Sequence, residues 1–140
     1  MAPDGQGMAI VRSERRAVRV SQDVVAVRQV VREWAVAVGF SLVDQTKLVT
    51  AASELARNTI IYGGGGTVEL QELNGPRRGI RLVFEDSGPG IKDVDAVLKD
   101  GYSTGGGLGL GLGGAKRLSN EFEISSQPGA GTRVSITRWK

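Results

Sequence analysis

The chain has 140 residues, 40% of them apolar, with 18 basic against 15 acidic side chains, which suits one soluble domain with a sizeable core and leaves no room for a second large one. It contains no cysteine and no histidine, excluding disulfides, thiolate nucleophiles, histidine-ligated zinc, a serine-histidine-aspartate triad and an autophosphorylating histidine. The net charge of +3 is mild and no basic tract is dense enough to follow a phosphate backbone, so no nucleic-acid partner is expected.

Residues 1 to 14 are polar and irregular and read as a loose tail. Within them Met1 to Gly7, with Pro3, Asp4 and two glycines, lacks the apolar run of a secretory signal, and a cytoplasmic protein is expected. A first strand is expected near Arg15 to Val20. With Ser21 as N-cap, Val24, Val27, Val31, Trp34 and Val38 recur at steps of three and four until Gly39, the pattern of a helix that is apolar on one side. Ser41 and Asp44 open a second helix, whose stripe Leu48, Ala52, Leu55, Thr59 and Tyr62 ends at the glycines 63 to 66. Beside that stripe Glu54 and Asn58 stand four residues apart, so both project from one helix face about one turn apart.

Thr67 to Leu73 and Ile80 to Glu85 alternate apolar with polar residues around Asn74-Gly75-Pro76, which predicts an antiparallel hairpin. Its second strand runs into the sharp turn Asp86-Ser87-Gly88-Pro89-Gly90. Residues 93 to 99 predict a short helix. The longest uncharged stretch, 101 to 115, holds eight glycines and cannot span a membrane, and a helix is expected behind it from Ala115 to Ser119. Phe122 and Ile124, the turn Gln127-Pro128-Gly129, then Val134 and Ile136 predict a terminal hairpin. This order of elements indicates an α/β two-layer sandwich, a mainly antiparallel mixed sheet with helices on one face, forming a single domain over residues 15–140.

Each notable motif has an ordinary reading on its own. Glu54 and Asn58 can be a solvated helix edge, Asp86 to Gly90 an ordinary turn, the Gly-rich stretch a flexible loop, and Gly131-Thr132 hairpin chemistry. Gly109 to Gly114 matches G-x-G-x-x-G literally, but no clear strand precedes it and no acid follows about 20 residues on, so the dinucleotide fingerprint fails. There is no Gly-Lys pair for a P-loop.

Taken together in chain order, Glu54-x-x-x-Asn58 on a helix, Asp86-x-Gly88-x-Gly90 after a strand, Gly107-Leu108-Gly109 before a helix and Gly131-Thr132 in a late strand resemble the Bergerat/GHKL ATP-binding fold. That superfamily includes gyrase, MutL, the ATP-binding half of histidine kinases and the anti-sigma serine kinases. The larger machines carry domains for which 140 residues have no room. The strings Ser53-Glu54-Leu55-Ala56-Arg57-Asn58, Glu85 to Ile91, Asp100-Gly101-Tyr102-Ser103-Thr104, Lys116-Arg117-Leu118 and Trp139 are similar to those of the RsbT-type serine/threonine kinases of the stressosome, over about residues 15 to 140.

This resemblance implies a kinase that uses ATP and Mg²⁺. It implies Glu54 as general base, Asn58 as Mg²⁺ ligand, Asp86 as reader of the adenine amine, and Gly88 and Gly90 as a turn that lets backbone approach the ligand. Gly105, Gly106, Gly107, Leu108, Gly109, Leu110 and Gly111 become a lid over the phosphates, Thr132 assists adenine binding, and Ser103 and Thr104, with Lys116 and Arg117, serve phosphates or a partner. It further implies STAS-domain substrates of RsbS and RsbR type and, after release, activation of a PP2C-type phosphatase of RsbU type in a stress response. Two other readings stand beside it: a nucleotide-dependent protein-binding switch with little turnover, and an anti-sigma factor that binds a sigma subunit directly. The chemistry of the residues agrees independently, since a neutral amide oxygen suits a hard cation shared with phosphates, and Gly-rich backbone entering a helix offers free N–H groups to anions.

Overall fold

Residues 8–98 and 108–140 are described by the computed structural model, with backbone alone at 108–110. Strand β1 (Ala9–Val18) leads into helices α1 (Ser21–Val38) and α2 (Leu42–Ile61), then the hairpin β2 (Gly66–Asn74) and β3 (Gly79–Asp86). Helices α3 (Val94–Val97) and α4 (Leu108–Arg117) follow, and the hairpin β4 (Glu121–Ser126) and β5 (Thr132–Trp139) completes the sheet.

The spatial strand order is β1-β2-β3-β5-β4. The mainly antiparallel sheet that was expected is antiparallel at every adjacent pair, with the arm β5 of the last hairpin against β3 and β4 at the edge. Two apolar cross-strand rows line the inner face: Val68, Phe84, Val134 and Ile124, then Leu70, Leu82, Ile136 and Phe122. Helices α1 and α2 cover these rows with Val27, Val31, Trp34, Leu48 and Leu55, all buried in one cluster with the sheet residues. Each such side chain contributes about 1.5–3 kcal/mol relative to leaving it in water, and Leu82→Ala would cost about 2–5 kcal/mol.

Three boundaries differ from the sequence reading. Strand β1 begins at Ala9 rather than near Arg15, so residues 9–14 are strand and not tail: the whole length of β2 offers a partner, down to Ala9 opposite Asn74, and pairing overrides a charged, weakly periodic stretch. Ser21 is the first residue of α1 rather than its cap. The cap is Val20, with the Asp23 carboxylate accepting from the backbone N–H of Arg19 at 2.8 Å and of Val20 at 3.0 Å, which holds the Asp23 carboxyl below its usual range. At the far end Gly39 closes α1 in the left-handed conformation, as its position predicts. Helix α4 begins at Leu108 rather than Ala115. Glycine costs about 1 kcal/mol per helical position relative to alanine, yet Leu112 and Ala115 are fully buried in the core cluster, and that packing against α2 and α3 decides the conformation.

Ser41 caps α2 as expected, its hydroxyl accepting from the Asp44 N–H at 3.1 Å. The same Asp44 receives Arg138 of β5 at 2.7 Å, and that guanidinium also donates to the Leu118 carbonyl at the end of α4. Arg138 thereby ties together the start of α2, the end of α4 and the sheet, and holds the Asp44 carboxyl below its usual range. Among the described residues no helix is long and apolar enough to cross a membrane.

Candidate functional site

At one end of the inner face the apolar rows give way to Val18, Gly66, Asp86, Thr132 and Ser126, in register across all five strands. A carboxylate and two hydroxyls thus stand side by side where the core stops. The C-terminal end of α2 reaches the same place, because Gly63 lies directly against Asp86: a β-carbon at position 63 would strike its carboxylate. The Asp86 carboxylate accepts from the Gly88 N–H at 2.9 Å and keeps capacity for a further donor. A side chain at Gly88 would meet the Gly63 backbone at 2.7 Å, and one at Gly90 would strike the Gln127 carbonyl, so the turn 86–90 is pressed between α2 and the β4–β5 turn.

Asn58 sits one turn before the end of α2. Its backbone carbonyl accepts from Tyr62 at 3.0 Å and Gly63 at 3.2 Å. Its side-chain Nδ2 is buried without a hydrogen-bond partner among the described residues, a state that costs about 1–3 kcal/mol and that a ligand can relieve. Helix α4 covers this amide: a β-carbon on Gly111 would lie 2.6 Å from Asn58 Nδ2, so only a residue without a side chain lets α4 come this close. Glu54, a turn earlier on α2, has a side chain 40% exposed and pairs with Arg57 at 3.0 Å.

Two clefts open on either side of Asp86. One of about 230 Å³ is lined by Ser126, Gly131 and Thr132 among others, and one of about 460 Å³ by Arg19 and the glycines 63 to 66. A groove of about 640 Å³ along Val25, Arg32 and Val36 of α1 is lined by none of the candidate site residues.

The structure therefore brings together Asn58, Asp86, Gly88, Gly90, Thr132 and Gly111 around the end of α2, with Glu54 one turn away on the same helix. Leu108, Gly109, Leu110 and Gly111, expected in a lid, belong to α4 instead, for the packing reason given above. Ser103, Thr104, Gly105, Gly106 and Gly107 lie outside the described residues. Lys116 and Arg117 stand in the last turn of α4, at the opposite end from its Gly-rich start, which suits the helix dipole rather than a phosphate.

Ser126 was missed by the sequence reading, although a signal was there. It continues the alternation Phe122, Ile124, so a hydroxyl occupies a position in step with the core. Gly63 was legible only as part of a glycine run.

The histidine kinase-, DNA gyrase B-, and HSP90-like ATPase family matches residues 43–140. The serine/threonine-protein kinase RsbT of Bacillus subtilis (strain 168) is 45% identical over 118 residues, covering 84% of this chain and 89% of that protein. The anti-sigma F factor of Thermoanaerobacter sp. (strain X514) is 27% identical over 124 residues, 85% of this chain and 87% of that protein. The crystal structure of the RsbU and RsbW domains of Rv1364c from Mycobacterium tuberculosis shares the fold with a TM-score of 0.62 at 21% identity, covering 94% of this chain and 33% of that one. The chain thus spans about a third of that structure and matches RsbT over most of its length. It belongs to the histidine kinase-, DNA gyrase B-, and HSP90-like ATPase family.

Proposed function

We propose that this chain is a cytoplasmic serine/threonine protein kinase that takes its phosphoryl group from ATP and acts in a partner-switching pathway. The observation that carries this reading is the Asp86–Thr132 pair at the end of the inner face, with Gly63 just past α2 packed on Asp86 and the buried amide of Asn58 on the last turn of that helix. The 45% identity to RsbT supports the kinase assignment over the sigma-binding one, since the matching anti-sigma F factors stand at 25% to 31%.

In this reading Asp86 accepts a hydrogen bond from the adenine amine, Thr132 beside it completes the base-reading edge, and Gly88 and Gly90 keep the turn close to the ligand. Asn58 is the protein ligand of Mg²⁺. The donor set fits by its chemistry: the Asn58 side chain carries a neutral amide oxygen, and Mg²⁺ needs only one or two protein oxygens when phosphates supply the rest. Bound there, the ion would neutralise charge on the phosphates. The Gly-rich start of α4, Leu108 to Gly111, offers its free backbone N–H groups to the phosphates, and Ser103, Thr104 and Gly105 to Gly107 are proposed to bind the same groups.

Glu54 accepts the proton of the substrate hydroxyl as its oxygen bonds to the γ-phosphorus and the bond to the β–γ bridging oxygen breaks, releasing ADP. Its pairing with Arg57 is an exposed ion pair of about 0–1 kcal/mol and is readily given up. The proposed substrates are STAS-domain proteins of RsbS and RsbR type, and the released kinase activates a PP2C-type phosphatase of RsbU type. Labelled ATP mixed with this chain and candidate STAS partners tests the assignment. Phosphate on a partner serine or threonine supports it; partner binding without transfer favours a passive switch, and capture of a sigma subunit favours an anti-sigma factor.

A further inference from the structure

Ser126 makes three polar contacts that join the 86–91 turn to the start of β5, and its role rests on the nucleotide-binding reading above. Its hydroxyl accepts from the Ile91 N–H at 2.8 Å, fixing the exit of the turn Asp86 to Gly90. It lies 2.7 Å from the Thr132 hydroxyl and 3.1 Å from the Gly131 carbonyl. A further bond, from the Gly129 N–H to the Pro89 carbonyl at 2.7 Å, closes the same junction, and Gly131 packs so tightly on the Asp86 carbonyl that no β-carbon would fit there.

The proton count at Ser126 has a chemical consequence. Ile91 can only donate, so Ser126 has one proton left for two acceptors. Donated to Thr132, it leaves the Thr132 proton free to point at a ligand acceptor. Donated to Gly131, it makes Thr132 give its own proton to Ser126 and offer the ligand only lone pairs. Asp86 beside it adds carboxylate oxygens as acceptors.

We infer that Ser126 is a positioning residue for the nucleobase: it locks the 86–91 turn to the last hairpin and sets the hydrogen-bonding sense that Thr132 presents next to Asp86. Its hydrogen bonds run to the turn and the last hairpin that carry Asp86 and Thr132, so by this inference it has a part in the affinity for the base and none in the transfer step.

The test uses the full chain with Ser126→Ala and Ser126→Thr, titrated with Mg-ATP, Mg-GTP and Mg-tripolyphosphate, and followed by amide hydrogen exchange without ligand. Ser126→Ala should weaken ATP about tenfold, narrow the preference for ATP over GTP, leave tripolyphosphate unchanged, and speed exchange at Ile91. In turnover KM rises and kcat holds. Ser126→Thr keeps the hydroxyl and should restore both ATP affinity and Ile91 protection. Wild-type ATP affinity in Ser126→Ala overturns the inference, as does equal loss of ATP and tripolyphosphate, which would mark a merely structural residue. A wild-type chain that binds no ATP overturns the kinase reading itself, whereas failure of this inference alone leaves wild-type binding intact.

Discussion

The buried amide of Asn58 and the bare α-carbon of Gly111 are in direct apposition, with Nδ2 2.6 Å from the place a β-carbon would take. Two helices far apart in sequence thus meet at a glycine and an unsatisfied polar atom. The packing of Leu112 and Ala115 offsets the cost of the glycine, while the unpaired amide is relieved when a ligand acceptor reaches it.

Gly111→Ala is accordingly expected to behave against helix propensity. Alanine would favour the helix by about 1 kcal/mol, but its methyl group displaces the mobile end of Asn58. The fold should survive, with the melting temperature changed by only a few degrees, while calorimetric titration shows Mg-ATP affinity reduced about tenfold or more.

Asn58→Ala removes the proposed cation ligand together with the buried unpaired amide. Stability is expected to hold or rise slightly, and nucleotide affinity should become the same in Mg²⁺ as in EDTA. Retention of a wild-type Mg²⁺ dependence would assign the ion to other residues.

Asp86→Asn keeps the shape of the row and removes the charge. A hydrogen bond to a charged group is worth about 1.5–3 kcal/mol, so ATP should bind about 10- to 150-fold more weakly. Tripolyphosphate, which has no base, serves as the control and should bind as before.

Glu54→Gln separates transfer from binding. Phosphate incorporation into a STAS-domain substrate should fall about 10²- to 10⁴-fold with ATP affinity unchanged. Equal rates for the variant and the wild type would remove Glu54 from the reaction.

The Arg138–Asp44 contact carries a pH signature. Arg138 holds the Asp44 carboxyl below its ordinary value of 3.8, so this pair stabilises the fold fully above that pH and ceases to do so as pH falls through the lower folded value. Asp44→Asn should therefore melt a few degrees below wild type at neutral pH, and the gap should close in strong acid.

Much of this site was legible before any coordinates. Asn58 and Glu54 follow from helical spacing, and Asp86 from its place at a strand end. What spacing could not reveal is lateral order. The cross-strand neighbours Asp86, Thr132 and Ser126 are separated by dozens of residues or by a tight turn, and only the insertion of β5 beside β3 makes them a row. Helix α4 was truncated in the sequence reading because glycine's poor propensity outweighs every local signal there, and the burial of Leu112 that reverses the balance is a tertiary fact. The strand at 9–14 was lost for the converse reason, since its partner in β2 supplies the order that its own exposed residues lack.

The order of synthesis and the order of the sheet disagree at β4 and β5. Strand β4 is made first, yet it is hydrogen-bonded to β5 alone and stands outside it. A growing chain that has produced β4 but not β5 holds an unpaired strand beside an open edge of β3, with no carboxylate–hydroxyl pair for a base to grip. If Asp86 and Thr132 read the base as proposed, competence for nucleotide arrives only when the final hairpin fills that gap, and a chain cut before β5 is silent.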